Sequence, residues 1–180
     1  MHPLLIALAV FACAVSVLNL VLVLGVIRRL REHADRISRL SPEPPNPMLA
    51  VTERTDPFDA VTVEGDHVSR AALSGLTLVG VFSPSCPACE ERLPRFLDFA
   101  RSFPGGRDQT IAIVVGEPDE AADQVAVLSP IARVVVEDME GSITKALKVR
   151  GFPAFGILDD SGTMVSAGTN TDWLRIPAGV

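Results

Sequence analysis

Two cysteines separated by two residues, Cys86 and Cys89, lie a few residues after a short apolar stretch, and this arrangement strongly constrains the local fold. The stretch, residues 76–82, has the length and composition of a buried strand. Pro87 suits the first turn of a helix, and residues 88–103 have helical periodicity. The sequence therefore predicts a strand, a short turn that contains serine and proline, and a helix that begins at the cysteine pair.

A cysteine pair at the start of a helix is suited to redox chemistry. The unpaired backbone N–H groups and the positive end of the helix dipole favour a thiolate at Cys86. A zinc site and an inert disulfide are the other interpretations. Zinc needs four ligands, whereas the chain has no second pair of this spacing and no histidine pair at ligand spacing. A disulfide that closes so short a loop constrains the unfolded chain little, so we predict a redox dithiol and no metal ligand.

The N-terminal region predicts a membrane anchor. Residues 4–27 contain no charged side chain, and as a helix they would extend about 36 Å, more than the roughly 30 Å hydrocarbon core of a bilayer. The run is long for a cleaved signal peptide and lacks a basic region before it. We therefore expect residues 1–27 to be an uncleaved, single-pass transmembrane anchor that lies in the lipid bilayer.

The arginines that follow this anchor bear on its orientation and on possible partners. Five arginines lie between residues 28 and 39, whereas the N-terminal side has only the α-amino group and His2. The positive-inside rule would place the C-terminal domain in the cytoplasm, but disulfide substrates persist mainly in oxidising compartments. The net charge is −6 and the basic residues cluster beside the anchor, which argues against binding of nucleic acid.

The rest of the chain divides into a linker and a globular domain. Residues 28–57 are predicted to be a basic juxtamembrane helix and a stiff linker, with four prolines between positions 42 and 47. Residues 58–180 have the alternating strand and helix patterns of an α/β domain with helices on both faces of a sheet. The predicted strands are 58–63, 67–68, 76–82, 110–115, 132–136, 154–158 and 164–167, and the predicted helices are 88–103, 120–128 and 142–149.

Pro153 is a second candidate site residue. It follows Phe152 and precedes a predicted strand, so a plain strand-entry proline is one interpretation. An X–Pro bond is also the only peptide bond that becomes cis at modest cost. Taken together with the cysteine pair and the hairpin turn at 159–162, a cis Pro153 beside the dithiol is the favoured interpretation. It would present the Phe152 backbone to an extended substrate segment.

These motifs together resemble the thioredoxin superfamily, and within it the membrane-anchored TlpA/ResA-type proteins, including the MauD-like branch. The resemblance lies in residues 58–65, 76–94 and 149–168, and it includes Pro94, five residues after the second cysteine. It implies a thioredoxin-like fold, with a central mixed sheet and helices on both faces, preceded by one transmembrane helix. It also implies that Cys86 is the nucleophile, that Cys89 resolves the mixed disulfide, and that the redox domain lies outside the cytoplasm.

Three positions depart from what the resemblance implies. Ser85 stands where an aromatic residue commonly precedes the first cysteine. Gly80 stands where thioredoxins carry an acid, and Arg92 stands where TlpA-type proteins often carry one. The dithiol framework is retained, whereas its usual acid/base residues are not.

The sequence therefore predicts a membrane-tethered thiol–disulfide oxidoreductase that serves redox homeostasis. Its expected partners are a disulfide-bearing protein substrate and an upstream dithiol electron donor, because the chain has no flavin or nicotinamide motif and we expect no cofactor. Substrate contacts are expected from Phe152, Pro84, Ser85 and Pro87 around the dithiol. A thiol-dependent peroxidase, with Ser83 three residues before Cys86, and a non-catalytic metallochaperone or binding module remain alternatives.

Overall fold

The computed structural model describes residues 46–177 without a gap, and upstream of them the separate positions 6, 11–12, 15–16, 19–20, 22–23, 25 and 29. The predicted anchor and the basic segment after it lie outside the continuously described residues. Among the positions that are described, no helix is both long enough and apolar enough to cross a membrane.

A five-stranded mixed sheet forms the centre of the domain. Its strands are β3 (Thr77–Phe82), β4 (Thr110–Val115), β5 (Arg133–Glu137), β6 (Ala154–Leu158) and β7 (Met164–Gly168), and β1 (Asp59–Val61) pairs with β2 (His67–Ser69) in a separate hairpin. The order is β5-β4-β3-β6-β7, in which β3, β4 and β5 are parallel, β6 is antiparallel to β3, and β7 is antiparallel to β6. Within residues 46–177 the α-helices are α1 (Pro87–Ser102), α2 (Pro118–Leu128) and α3 (Ser142–Ala146).

The helices cover both faces of this sheet, as the strand and helix pattern predicted. Side chains of a strand alternate between the two faces, and here they divide into two apolar clusters. On one face, Phe96 of α1 and Leu128 of α2 belong to the cluster that contains Leu78. On the other face, Ile143 of α3 lies in the cluster that contains Val79. The mixed sheet and the two covered faces confirm the predicted fold class of the domain.

An aromatic cluster fixes α1 on the sheet. The Phe82 and Phe96 rings meet edge to face with centroids 5.1 Å apart, and Phe96 stacks on Phe155 at 5.3 Å. A Cβ atom at Gly80 would lie only 2.6 Å from the Phe96 ring. Glycine at position 80 therefore lets α1 approach β3, and this close packing positions the cysteines at the start of α1.

The third helix is shorter than predicted. The apolar pattern indicated a helix over 142–149, whereas α3 ends at Ala146. Lys148 adopts a left-handed backbone with φ of 51°, and the Val149 N–H donates to the Thr144 carbonyl over 3.1 Å. These features form a Schellman motif, which ends the helix one turn before its apolar periodicity does.

Residues upstream of position 58 also pack against the domain. Met48 and Leu49 are only 1 % and 0 % exposed and belong to the α3-side cluster. The Leu49 N–H donates to the Leu147 carbonyl, and the Arg150 N–H donates to the Pro47 carbonyl, both over 2.7 Å. The packed region therefore includes residues that the sequence had assigned to the linker.

Candidate active site

The two cysteines occupy the first turn of α1 and differ sharply in exposure. Cys86 is the N-cap residue, with an extended backbone, and Pro87 is the first residue of the helix. The Cys89 N–H donates to the Cys86 carbonyl over 2.9 Å, which places the two residues on one turn. Both are free thiols; Cys86 is half-buried, whereas Cys89 is 0 % exposed. A substrate can therefore reach Cys86 but not Cys89.

The environment of Cys89 favours its neutral thiol. The pKa of Cys89 is raised to about 12, chiefly by burial, and also by a hydrogen bond to Cys86 and by the charge of that residue. A hydrogen bond with the Ser83 backbone and the positive charge of Arg92 lower the pKa of Cys89, but by less. In the dithiol state Cys89 therefore keeps its proton at neutral pH.

The turn before Cys86 is held by residues from two other elements. The Cys86 N–H donates to the Ser83 carbonyl over 3.2 Å, and the amide Nε2 of Gln124, on α2, donates to the same oxygen over 3.3 Å. A Cβ atom on Gly116, just after β4, would lie 3.0 Å from Pro84. Sequence analysis missed Gln124, because a buried glutamine 41 positions from its partner leaves no local signal.

The other predicted site residues lie in this turn, at the first position of α1 or just before β6. Ser85 and Pro87 are exposed and Pro84 is half-buried, all within three residues of Cys86. The Phe152–Pro153 bond is cis, as predicted. The structure thus brings three predicted substrate contacts together around Cys86.

The strand register brings the remaining two predicted contacts to the same end of the sheet. Ala154, the first residue of β6, pairs with Val81 near the end of β3, from which the chain continues to Cys86. Phe152, half-buried, contacts both apolar clusters, and Pro153 is buried. Pro153 and Phe152 therefore lie beside the end of the strand that leads to the dithiol.

The structure shows what surrounds the positions at which this sequence departs from the pattern of the thioredoxin superfamily. The space beside Gly80 is filled by the Phe96 ring, so this position has no room for a carboxyl group. Arg92 donates a hydrogen bond from Nη1 to the Thr169 carbonyl over 2.9 Å. Glu90 and Glu91 are exposed on α1. Among the described residues outside the cysteine pair, Arg92 is the charged group that changes the pKa of Cys89. It is a cation and not an acid.

Comparison with known proteins gives matches at the level of structure. No protein-family profile and no curated protein sequence matches the chain. The thioredoxin domain of a thiol-disulfide oxidoreductase from Bacteroides vulgatus is similar over 69 % of this chain and 91 % of that one, with a TM-score of 0.53 and 15 % identity. StoA from Bacillus subtilis is similar over 64 % and 88 % of the respective chains, with a TM-score of 0.51 and 18 % identity.

A third solved structure agrees with these two. A thiol:disulfide interchange protein of the thioredoxin family from Chlorobium tepidum is similar over 67 % of this chain and 88 % of its own, with a TM-score of 0.53 and 21 % identity. All three similarities extend over most of the solved domains. The structural neighbours are thus thiol–disulfide oxidoreductases of the thioredoxin-like superfamily, and the described domain of this chain has the thioredoxin-like fold.

Proposed function

We propose that this protein is a thiol–disulfide oxidoreductase that exchanges the Cys86–Cys89 dithiol and disulfide with a disulfide in a protein substrate. One observation carries the proposal: a reachable thiol at a helix start lies one turn from a buried thiol. This asymmetry gives the two sulfurs separate roles, because only Cys86 can meet a bulky disulfide. The thioredoxin-like fold of the solved oxidoreductases supports the same conclusion.

The reaction has two exchange steps. The Cys86 thiolate attacks one sulfur of the substrate disulfide; a bond from Cys86 to the substrate forms, the substrate S–S bond breaks, and the leaving sulfur takes up a proton. Cys89 then loses its proton and attacks the Cys86 sulfur, which releases the second substrate thiol. The substrate gains two electrons and two protons, and the protein is left with a Cys86–Cys89 disulfide. A second dithiol protein returns it to the reduced form.

The electrostatics of the site suit the second step. In the mixed disulfide, Cys86 carries no negative charge and no longer takes part as a thiolate in a hydrogen bond with Cys89. Two of the three causes that raise the Cys89 pKa are then gone, while the Arg92 charge and the Ser83 backbone still lower it. Cys89 thus becomes more acidic in the intermediate in which it must act as the nucleophile.

We further propose that residues 4–27 anchor the protein in a membrane and that the redox domain lies outside the cytoplasm. The charge-free run, the proline-rich stretch after it and the need for an oxidising compartment support this arrangement. Protease added to intact spheroplasts should digest residues 50–180. Protection until lysis would place the domain in the cytoplasm, and would contradict this part of the proposal.

Trapping of the mixed disulfide tests the proposed reaction. Cys89→Ser should accumulate a covalent complex between Cys86 and the substrate, because the resolving thiol is absent. The matched variant, Cys86→Ser, should trap nothing. Non-reducing electrophoresis and mass spectrometry would identify the bond. Equal capture by both variants, or capture by neither, would contradict the proposal.

A further inference from the structure

A groove beside the cysteines lies between α1 and α2 and is not used by the exchange reaction itself. It has a volume of about 370 Å³, and its apolar walls include Leu93, Leu97 and Val127. Val127 is 45 % exposed although it is a large hydrophobic side chain. We call this feature the acidic groove, because Glu90, Glu120 and Asp123 also line it.

The charged side chains that line the acidic groove are carboxylates, which accept hydrogen bonds. All three of its carboxylates are exposed, and none takes part in an ion pair among the described residues. The amide Nε2 of Gln124, which also lines the groove, is already bonded to the Ser83 carbonyl, while its Oε1 atom is buried and has no partner in the described part of the chain. The groove therefore presents the negative charge of three carboxylates beside an apolar floor, and no cationic side chain lines it.

The acidic groove includes residues next to the reactive cysteine. Pro84, two residues before Cys86, lines it, and so does Glu90, whose N–H donates to the Cys86 carbonyl over 3.4 Å. When Cys86 attacks a substrate disulfide, the residues that flank this disulfide would therefore lie close to the groove.

We propose that the acidic groove binds a segment of the protein substrate that carries a lysine or arginine beside an apolar residue, adjacent to the disulfide. This rests on the proposed function. A cationic side chain supplies both the positive charge and the donors that the three carboxylates lack, and the apolar neighbour would pack on the floor formed by Leu93, Leu97 and Val127. A segment with a carboxylate in the same place would be repelled, so the groove selects among substrates.

Peptide substrates test this proposal on the purified full chain in non-ionic detergent. Three peptides share one disulfide-closed loop and differ only in their flank, which is Leu-Arg, Leu-Gln or Leu-Glu. The reduced protein should oxidise fastest with the arginine peptide, by about three- to tenfold over the glutamine peptide, and slowest with the glutamate peptide. This preference should shrink as salt is raised, because the paired charges are near the surface. Equal rates for the three peptides would overturn the groove proposal alone, whereas no exchange with any of them would overturn the proposed function.

Paired variants assign the preference to the groove. Glu120→Gln with Asp123→Asn should bring the ratio of arginine to glutamine rates close to about one. The control, Asp66→Asn with Asp160→Asn, changes the net charge equally at two exposed positions that do not line the groove, and should keep the ratio. Loss of the ratio in the control would show that net charge, and not the groove, is responsible, and would overturn the proposal.

A further variant tests the chain's own basic segment as the occupant. Replacing the five arginines between residues 28 and 39 with glutamine should leave the ratio unchanged. A rise in the ratio would show that this segment competes for the groove, and would overturn binding by the substrate as its role.

Discussion

Arg92 donates a hydrogen bond from Nη1 to the backbone carbonyl of Thr169, 2.9 Å away, although 77 residues separate the two in the chain. This bond ties α1 to the segment after β7 and holds the guanidinium near Cys89. The positive charge there lowers the pKa of Cys89, opposite to the larger effect of burial. The Arg92 cation can stabilise the Cys89 thiolate but cannot accept the proton of the Cys89 thiol. This proton must therefore go to water or to the substrate.

Removing this cation should slow the second exchange step. In Arg92→Gln the thiolate of Cys89 loses its nearby positive charge, so its pKa should rise and resolution at pH 7 should slow by about three- to tenfold. The measurement is the rate at which glutathione is released from a mixed disulfide with Cys86, followed from pH 6 to pH 10.

A neighbouring arginine provides the control for this variant. Arg95 pairs with Asp172 at 3.0 Å on the exposed side of α1 and does not contribute to the Cys89 pKa. Arg95→Gln should therefore release glutathione at the rate of the unsubstituted protein. If both variants slowed release equally, the effect would come from the net charge of α1 and not from Arg92.

Alkylation of the reduced protein should distinguish the two thiols. At pH 7 the label should enter Cys86 at least about tenfold faster than Cys89, because Cys89 is buried and its pKa is raised to about 12. Raising the pH towards that value should increase labelling of Cys89. Mass spectrometry of digested protein gives the two rates separately, and the unfolded chain, in which both thiols are exposed, is the reference. Faster labelling of Cys89 in the folded protein would contradict the assigned roles.

Local signals explain which features could be predicted from the sequence. The apolar run before the cysteines and the proline after Cys86 lie within a few residues of each other, so they predicted the strand, the turn and the start of α1. The end of α3 was missed because a left-handed Lys148 interrupts an apolar pattern that continues beyond it. Met48 and Leu49 were missed because they follow a proline-rich stretch and show no periodicity, although both are buried.

The features that could not be predicted from the sequence depend on contacts between residues that are far apart in the chain. Arg92 reaches Thr169, and Gln124 reaches the carbonyl of Ser83, only after the sheet has formed. The acidic groove likewise requires α1 and α2 to pack side by side on one face. A departure such as Gly80 could be seen in the sequence, but its reason, the Phe96 ring in the space beside it, could not.

The packing at Gly80 should make this position intolerant of any side chain. Gly80→Ala would place a Cβ atom 2.6 Å from the Phe96 ring, inside a stacked aromatic cluster, and should lower the free energy of unfolding by about 1–3 kcal/mol. Gly80→Asp should cost more, because it adds a buried carboxyl to the same overpacking. Gly151→Ala is the matched control: its Cβ would meet nothing within 4 Å, and its effect should stay within about 0.5 kcal/mol. Urea unfolding gives all three values, and equal stability of the two alanine variants would contradict the packing argument.

The turn between β6 and β7 should make stability depend on pH. Oδ1 of Asp159 accepts hydrogen bonds from the Ser161 N–H at 2.9 Å, the Ser161 hydroxyl at 2.7 Å and the Thr163 N–H at 2.9 Å. Burial alone, the largest single cause, would raise the pKa of Asp159, but these bonds and the positive charge of Arg54 together hold that pKa below its ordinary value. Because the folded pKa lies below the unfolded one, the carboxylate stabilises the fold above the unfolded pKa of about 3.9, and this stabilisation is lost as the pH falls through the folded pKa.

Asp159→Asn should therefore destabilise the protein by about 1 kcal/mol at pH 7, because the charge-assisted bonds in the turn become neutral ones. The difference in unfolding free energy between the two proteins should shrink as the pH falls below about 4, since the unsubstituted carboxylate is then protonated as well. Asp160→Asn is the control, because that side chain is exposed and makes no described hydrogen bond, so its effect should be small at every pH. Urea unfolding between pH 2.5 and pH 7 measures both differences. A penalty for Asp159→Asn that stays constant across this range would show that the geometry of the turn, and not the charge of Asp159, supplies the stabilisation.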